Sequence, residues 1–186
     1  MTKPIDDLLT YAERAYVRME AEQLILHCLE EGDSGALDQL IQGLVLAGAS
    51  SLGIMREILA EVRSTRSSLV NAGLEVRQDL INALGDFGVK LSRLLPADAP
   101  EMFRQICSAR LRHRVKVAAR KLSAEDEVLL EEVCDEAGDR VAAIAKRLAM
   151  LGRLEASIED WFYCLAYEAT RQADTVGEPP HNTPVH

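Results

Sequence analysis

The chain has few aromatic side chains, no paired cysteines and no alternating polar and apolar runs, and each shortage excludes a class of protein. Aromatics make up 4% of its 186 residues although 48% are apolar. A core must therefore be built from aliphatic side chains, and Ala, Leu and Val with Glu and Arg are a composition that helices accept on both faces. No segment combines period-2 alternation with bounding turn residues, so no sheet is expected. Cys28, Cys107, Cys134 and Cys164 stand far apart without any Cys-x-x-Cys pair. They read as reduced core thiols of a cytosolic protein, not as a disulfide or zinc framework.

Other absences bear on chemistry. There is no glycine-rich phosphate loop, no His-Glu-x-x-His, no Glu-x-x-His pair of the di-iron kind and no nucleophile elbow. His27 and Glu31 share a helix face beside Cys28, but one such pair is too little for a metal site, and His113 sits among cations. No catalytic residue, metal ligand or cofactor is expected, and the protein reads as non-enzymatic. The segment Met1 to Asp7 has no apolar core of a signal peptide. The longest uncharged run, Gln39 to Met55, falls short of a membrane span and contains Gly43, Gly48 and Gly53. A cytoplasmic location with no membrane partner is the expectation. The net charge of -9 favours solubility and argues against a surface that binds nucleic acid throughout, while leaving room for a local basic patch.

What the chain does have is helical periodicity. From residue 51 to 95, without a proline, apolar residues recur at steps of three and four: Leu52, Met55, Leu59, Val62, Leu69, Val76, Leu80, Leu84, Phe87, Leu91 and Leu94, with Arg66 and Gly73 as the two exceptions. A mean step near 3.5 residues keeps one narrow stripe turned toward a partner. Unbroken, this helix would be roughly 65 Å long. Asn71, Ala72 and Gly73 offer a break, giving a rival reading of two helices, 52–71 and 74–95, folded back on each other.

Around this stretch the expected order is as follows. Thr2 caps a first helix that ends at Gly32-Asp33-Ser34-Gly35, where a glycine supplies a left-handed cap and Ser34 accepts from the next helix's free amides. A short apolar helix covers 35–47. Pro96 and Pro100 halt the long helix, and Asp98 with Glu101 opens another over 99–122. Ser123 with Asp126, Asp139 after Gly138, and Ser157 with Asp160 then mark three more helix starts. The fold class is all-α, a helical bundle of about six or seven helices with a long heptad-patterned central helix or hairpin. Its segments are 1–95, the N-terminal helices and central helix; 96–174, a C-terminal bundle; and 175–186, a proline-rich tail expected to be disordered.

Charge is segregated in the second half. Residues 102–124 carry no acid but include Arg104, Arg110, Arg112, Arg114, Lys116, Arg120 and Lys121, whereas 125–139 carry eight acids and no base. The basic helix suits phosphates, with Arg110, Arg112, Arg114, Lys116 and Arg120 as the contacting set. The competing and preferred reading packs the two segments antiparallel, so that their charges meet along the rims. A helix-turn-helix over 141–162 fails on spacing and on the acids Glu155, Glu159 and Asp160 at its reading end. Trp161, Phe162, Tyr163 and Tyr167 are half of all the aromatics; Phe162 lies on the apolar stripe, while Trp161, Tyr163 and Tyr167 form a candidate partner contact.

Together these features predict an interaction or regulatory protein, an adaptor or scaffold, that self-associates as a dimer through Met55, Leu59, Val62, Leu69, Val76, Leu80, Leu84 and Phe87. A protein partner is expected besides the second copy. The alternatives are a nucleic-acid-binding regulator using the basic helix 102–122, and a helical bundle enclosing an apolar ligand.

Overall fold

A computed structural model describes residues 9–90, 99–119 and 122–176, without the side chains of 99, 100, 109 and 173–176. The protein is all-α, and no strand occurs among the described residues. The elements are α1 (Tyr11–Glu31), α2 (Gly35–Ala47), a 3-10 turn (Gly48–Ser51), α3 (Leu52–Gly85), α4 (Ala99–Ile106), α5 (Ala109–Ala118) and α6 (Ala124–Val176). Helix α2, the turn and α3 form one helical run, Gly35–Gly85. Counted so, the described residues form five helical stretches where six or seven were expected.

Local chemistry sets most of these limits. Thr10 caps α1 through a reciprocal box: its side chain accepts from the Glu13 amide at 3.3 Å, and the Glu13 carboxylate accepts from the Thr10 amide at 2.7 Å. The expected Thr2 cap lies outside the described residues. Gly32, at φ 72°, closes α1 with its amide donating to the Cys28 carbonyl at 2.9 Å. Ser34 does not accept from the amides of α2 as expected; its hydroxyl donates to Asp38 Oδ2 at 2.8 Å. Buried Ser51 ties the 3-10 turn back to α2, with Oγ 2.6 Å from the Leu44 carbonyl.

Helix α3 is continuous through Asn71 and Gly73, so the folded-back pair 52–71 and 74–95 does not form. It stops at Gly85, short of the expected 95, in a turn over 86–88 where Gly88 stands at φ 70°. The expected helix 99–122 is two short ones, because Ser108 caps α5 by accepting from the Arg110 amide at 3.1 Å. Conversely, the three expected helices after Ser123 are one. The Ser123 cap forms, with its Oγ 3.1 Å from the Asp126 amide, but α6 then runs through Gly138, Asp139, Gly152 and Ser157 to Val176. Of the tail expected over 175–186, Thr175 and Val176 belong to α6, and the rest lies outside the described residues.

The chain divides into two compact units that are not consecutive pieces of sequence. One comprises residues up to Ser64 and from Gly152 onward; the other is Thr65–Leu151. In the first, Ala21, Ile25, Cys28, Leu29, Leu37, Ile41, Leu52, Met55, Ile58, Leu59, Val62, Leu154, Ile158 and Leu165 are buried. In the second, α3 gives Val76, Leu80 and Leu84 to a core with Met102, Phe103 and Ile106 of α4, Leu111 and Val115 of α5, and Leu130, Cys134, Ala137, Val141 and Ile144 of α6. Each aliphatic side chain buried in this way stabilises the fold by about 1.5–3 kcal/mol before entropy is counted.

Candidate functional site

The seam faces inward. Met55, Val62 and Leu84 have no exposed surface, Leu59, Val76 and Leu80 are buried, and Leu69 and Phe87 are partly buried against the core of the second unit. Of these eight residues, expected to meet a second copy, six are covered by the chain's own side chains and Leu69 and Phe87 are covered in part. Gathering them into an interface would require the core to open. The two irregular positions behave differently: Arg66 is exposed, and Gly73 is buried where the Phe103 ring lies against α3.

The basic helix separates into two sets. Arg112 is paired with Asp135 of α6, and Lys116 with Glu131. The residue numbers rise on α5 as they fall on α6, which is the antiparallel pairing preferred from the charge pattern. Glu131 holds the Lys116 ammonium above its ordinary range, and Lys116 in return holds the Glu131 carboxyl below its own. Arg110 and Arg114, one helical turn apart, take no part in this pairing. They line a cavity of about 490 Å³ with Arg104 of α4, Glu101, Gln105, Ser108 and Leu111. Arg120 lies outside the described residues.

No protein-family model, curated protein or solved structure matches this chain. The surfaces themselves must carry the functional reading.

In the first unit the large apolar residues that remain exposed lie on three helices, α1, α2 (Leu40 and Leu46) and α6. Trp161, Tyr163 and Tyr167 of α6 are exposed, with the Tyr163 ring edge-on to Phe162 at 6.0 Å between centroids. Helix α1 has two apolar faces. Ala21, Ile25, Cys28 and Leu29 are buried, while Ala12, Ala15, Tyr16, Met19 and Leu26 are exposed. Ala12, Met19 and Leu26 stand at i, i+7 and i+14, with Ala15 between the first two. This second heptad was legible in the sequence.

A groove of about 530 Å³ adjoins that face, with Tyr16, Leu24, His27, Leu40, Ile54 and Ile58 among its walls. In the second unit a separate groove of about 540 Å³ is lined by Val70, Phe103, Cys107, Ala145, Leu148 and Ala149, with Arg66 and Arg104 at it. All four cysteines are free, but only Cys28 and Cys134 are core thiols; Cys107 and Cys164 belong to exposed residues. Burial raises the Cys28 and Cys134 thiols, and also Cys107, whose Sγ is turned toward the Gly138 carbonyl. None of these three is an activated thiolate. Among the described residues no group of three or more His, Cys, Asp or Glu side chains is gathered as a metal site requires.

The apolar run also bears on location. By length and composition Gly35–Gly85 could cross a membrane, its most apolar 18-residue window having a mean hydropathy of 1.4. Within the protein 39% of that window is buried, and the same run supplies Leu37, Ile41, Leu52 and Met55 to the core.

Proposed function

We propose that this protein is a non-enzymatic, cytoplasmic interaction or regulatory protein, a helical bundle that associates with a second copy of itself through the outward face of α1. The observation that carries this reading is the exposed heptad Ala12, Ala15, Met19 and Leu26 on a helix whose opposite face is already buried. A stripe with that period fits another helix, because knobs at seven-residue intervals enter holes on a facing helix of the same pitch. The seam of α3 is not the contact in this reading, since its side chains fill the protein's own core. Trp161, Tyr163 and Tyr167, amphipathic and exposed on α6, offer a second surface suited to a protein partner.

Size-exclusion chromatography with light scattering tests the self-association. The wild-type chain should elute at twice its 20.5 kDa mass, and the double variant M19E/L26E at the monomer mass with unchanged helical content. A strict monomer across micromolar concentrations would remove the claim. A dimer unaffected by M19E/L26E would remove α1 as the contact. Recovery of the native protein in the membrane fraction would overturn the cytoplasmic placement.

A further inference from the structure

We infer that the cavity between α4 and α5 is a binding site for a small phosphate-bearing ligand carrying at least two negative charges. Three arginines line it, Arg104, Arg110 and Arg114, with one acid, Glu101. Glu101 accepts from Arg104 and, through Oε1, from Gln105 Nε2 at 2.9 Å. It therefore orients Arg104 and offsets one of the three positive charges. Two positive charges remain, on Arg110 and Arg114, which stand at i and i+4 of α5 and project to one side of it.

Their isolation is specific. Helix α6 lies along α5 with an acidic segment, and its acids engage the other rail, Arg112 and Lys116. A chain that pairs Arg112 and Lys116 with acids and leaves Arg110 and Arg114 lining a cavity of about 490 Å³ has separated a structural use of its basic residues from a second one. Guanidinium forks match the tetrahedral oxygens of phosphate, and two of them balance a dianion, whereas a lone carboxylate is satisfied by one. The cavity has further polar means. The Ser108 hydroxyl lies at its edge, and Gln105 Oε1 is buried without a hydrogen-bond donor.

A duplex is the weaker candidate. Its phosphates are monoanionic diesters that need a long row of cations, and the i, i+4, i+8 rail which begins that row is occupied by Asp135 and Glu131 at its first two members.

Calorimetric titration of the full chain at low salt tests the assignment, with inorganic pyrophosphate, acetate and a random DNA duplex as separate arms. Pyrophosphate should bind saturably, acetate should not, and R110Q/R114Q should weaken pyrophosphate at least about tenfold, as the loss of charge-assisted hydrogen bonds predicts. The charge-matched variant R112Q/K116Q should retain it. Circular dichroism of both variants should match the wild type, since Arg110 and Arg114 are exposed. The inference is overturned by no pyrophosphate binding up to millimolar concentration, by equal losses in the two variants, or by duplex binding that pyrophosphate does not displace.

Discussion

The ring of Phe103 occupies the space where residue 73 would carry a Cβ. A methyl group built on Gly73 would overlap the ring carbons Cε1 and Cζ. The glycine that interrupts the apolar pattern of α3 is thus a point of close approach between α3 and the Phe103 ring of α4. Gly73→Ala should therefore destabilise the protein even though alanine favours an exposed helix interior by about 1 kcal/mol. Overpacking of this kind costs about 1–3 kcal/mol or more. Urea denaturation should show a lowered midpoint for Gly73→Ala, and Phe103→Leu in that background should restore part of the loss. A gain in stability for Gly73→Ala alone would mean that the ring moves aside freely.

Leu80 distinguishes a seam used internally from one used between copies. It is 2% exposed, packed with Leu84, Met102 and the α6 side chains of the same core. Leu80→Ala should cost about 2–5 kcal/mol, the range for a buried leucine whose cavity closes only partly. That loss should appear in the unfolding midpoint at any protein concentration. A variant that stays as stable but dissociates on dilution would place Leu80 at a subunit contact.

The stripe along α3 was readable because burial follows the 3.5-residue period wherever a helix presents one face to a core. Its partner was not readable, since periodicity marks a face and is silent on what covers it. The opposite difficulty arose in α6. Gly138 with Asp139, Gly152, and Ser157 with Asp160 are sound stop and start signals taken singly, each glycine costing a helix about 1 kcal/mol. They lose to the stripe that runs past them, through Leu130, Cys134, Ala137, Val141, Ile144, Leu151, Leu154, Ile158 and Leu165, all buried. Every large member of that stripe contributes about 1.5–3 kcal/mol, so continuity was the stronger signal. For the basic helix, composition alone predicted the pairing with α6. Only the positions of Asp135 and Glu131 show which arginines that pairing leaves over.

Glu57 is a carboxylate with 4% of its side chain exposed, held by Arg18 Nε at 2.6 Å. Arg18 itself is about half exposed, so the attraction is screened and the pair's net worth is small. Removing one partner is another matter. Arg18→Ala leaves the carboxylate buried without that donor, at a cost of about 1–3 kcal/mol. The double variant R18M/E57M should recover much of this, because without the buried carboxylate no charge at position 57 is left unsatisfied. Thermal denaturation of the two variants checks the order; a double variant worse than Arg18→Ala would contradict it.

Glu61, one turn along α3 from that pair, gives the protein a predictable response to acid. Burial holds its carboxyl above the ordinary value of 4.5, the charge of Glu22 adds to the rise, and Arg18 opposes it. A carboxyl raised in this way binds its proton more tightly in the folded than in the unfolded chain. Stability therefore increases as pH falls through the raised folded value toward 4.5, and the gain is lost as pH climbs back above it. Glu61→Gln removes both the desolvated charge and its titration. The variant should be more stable than the wild type at pH 7, and the difference should shrink steadily between pH 7 and pH 4.5. Melting temperatures of the two proteins across that interval measure it directly. Parallel curves would show that Glu61 is hydrated in the folded protein, and a difference that widens toward acid would reverse the sign of its shift.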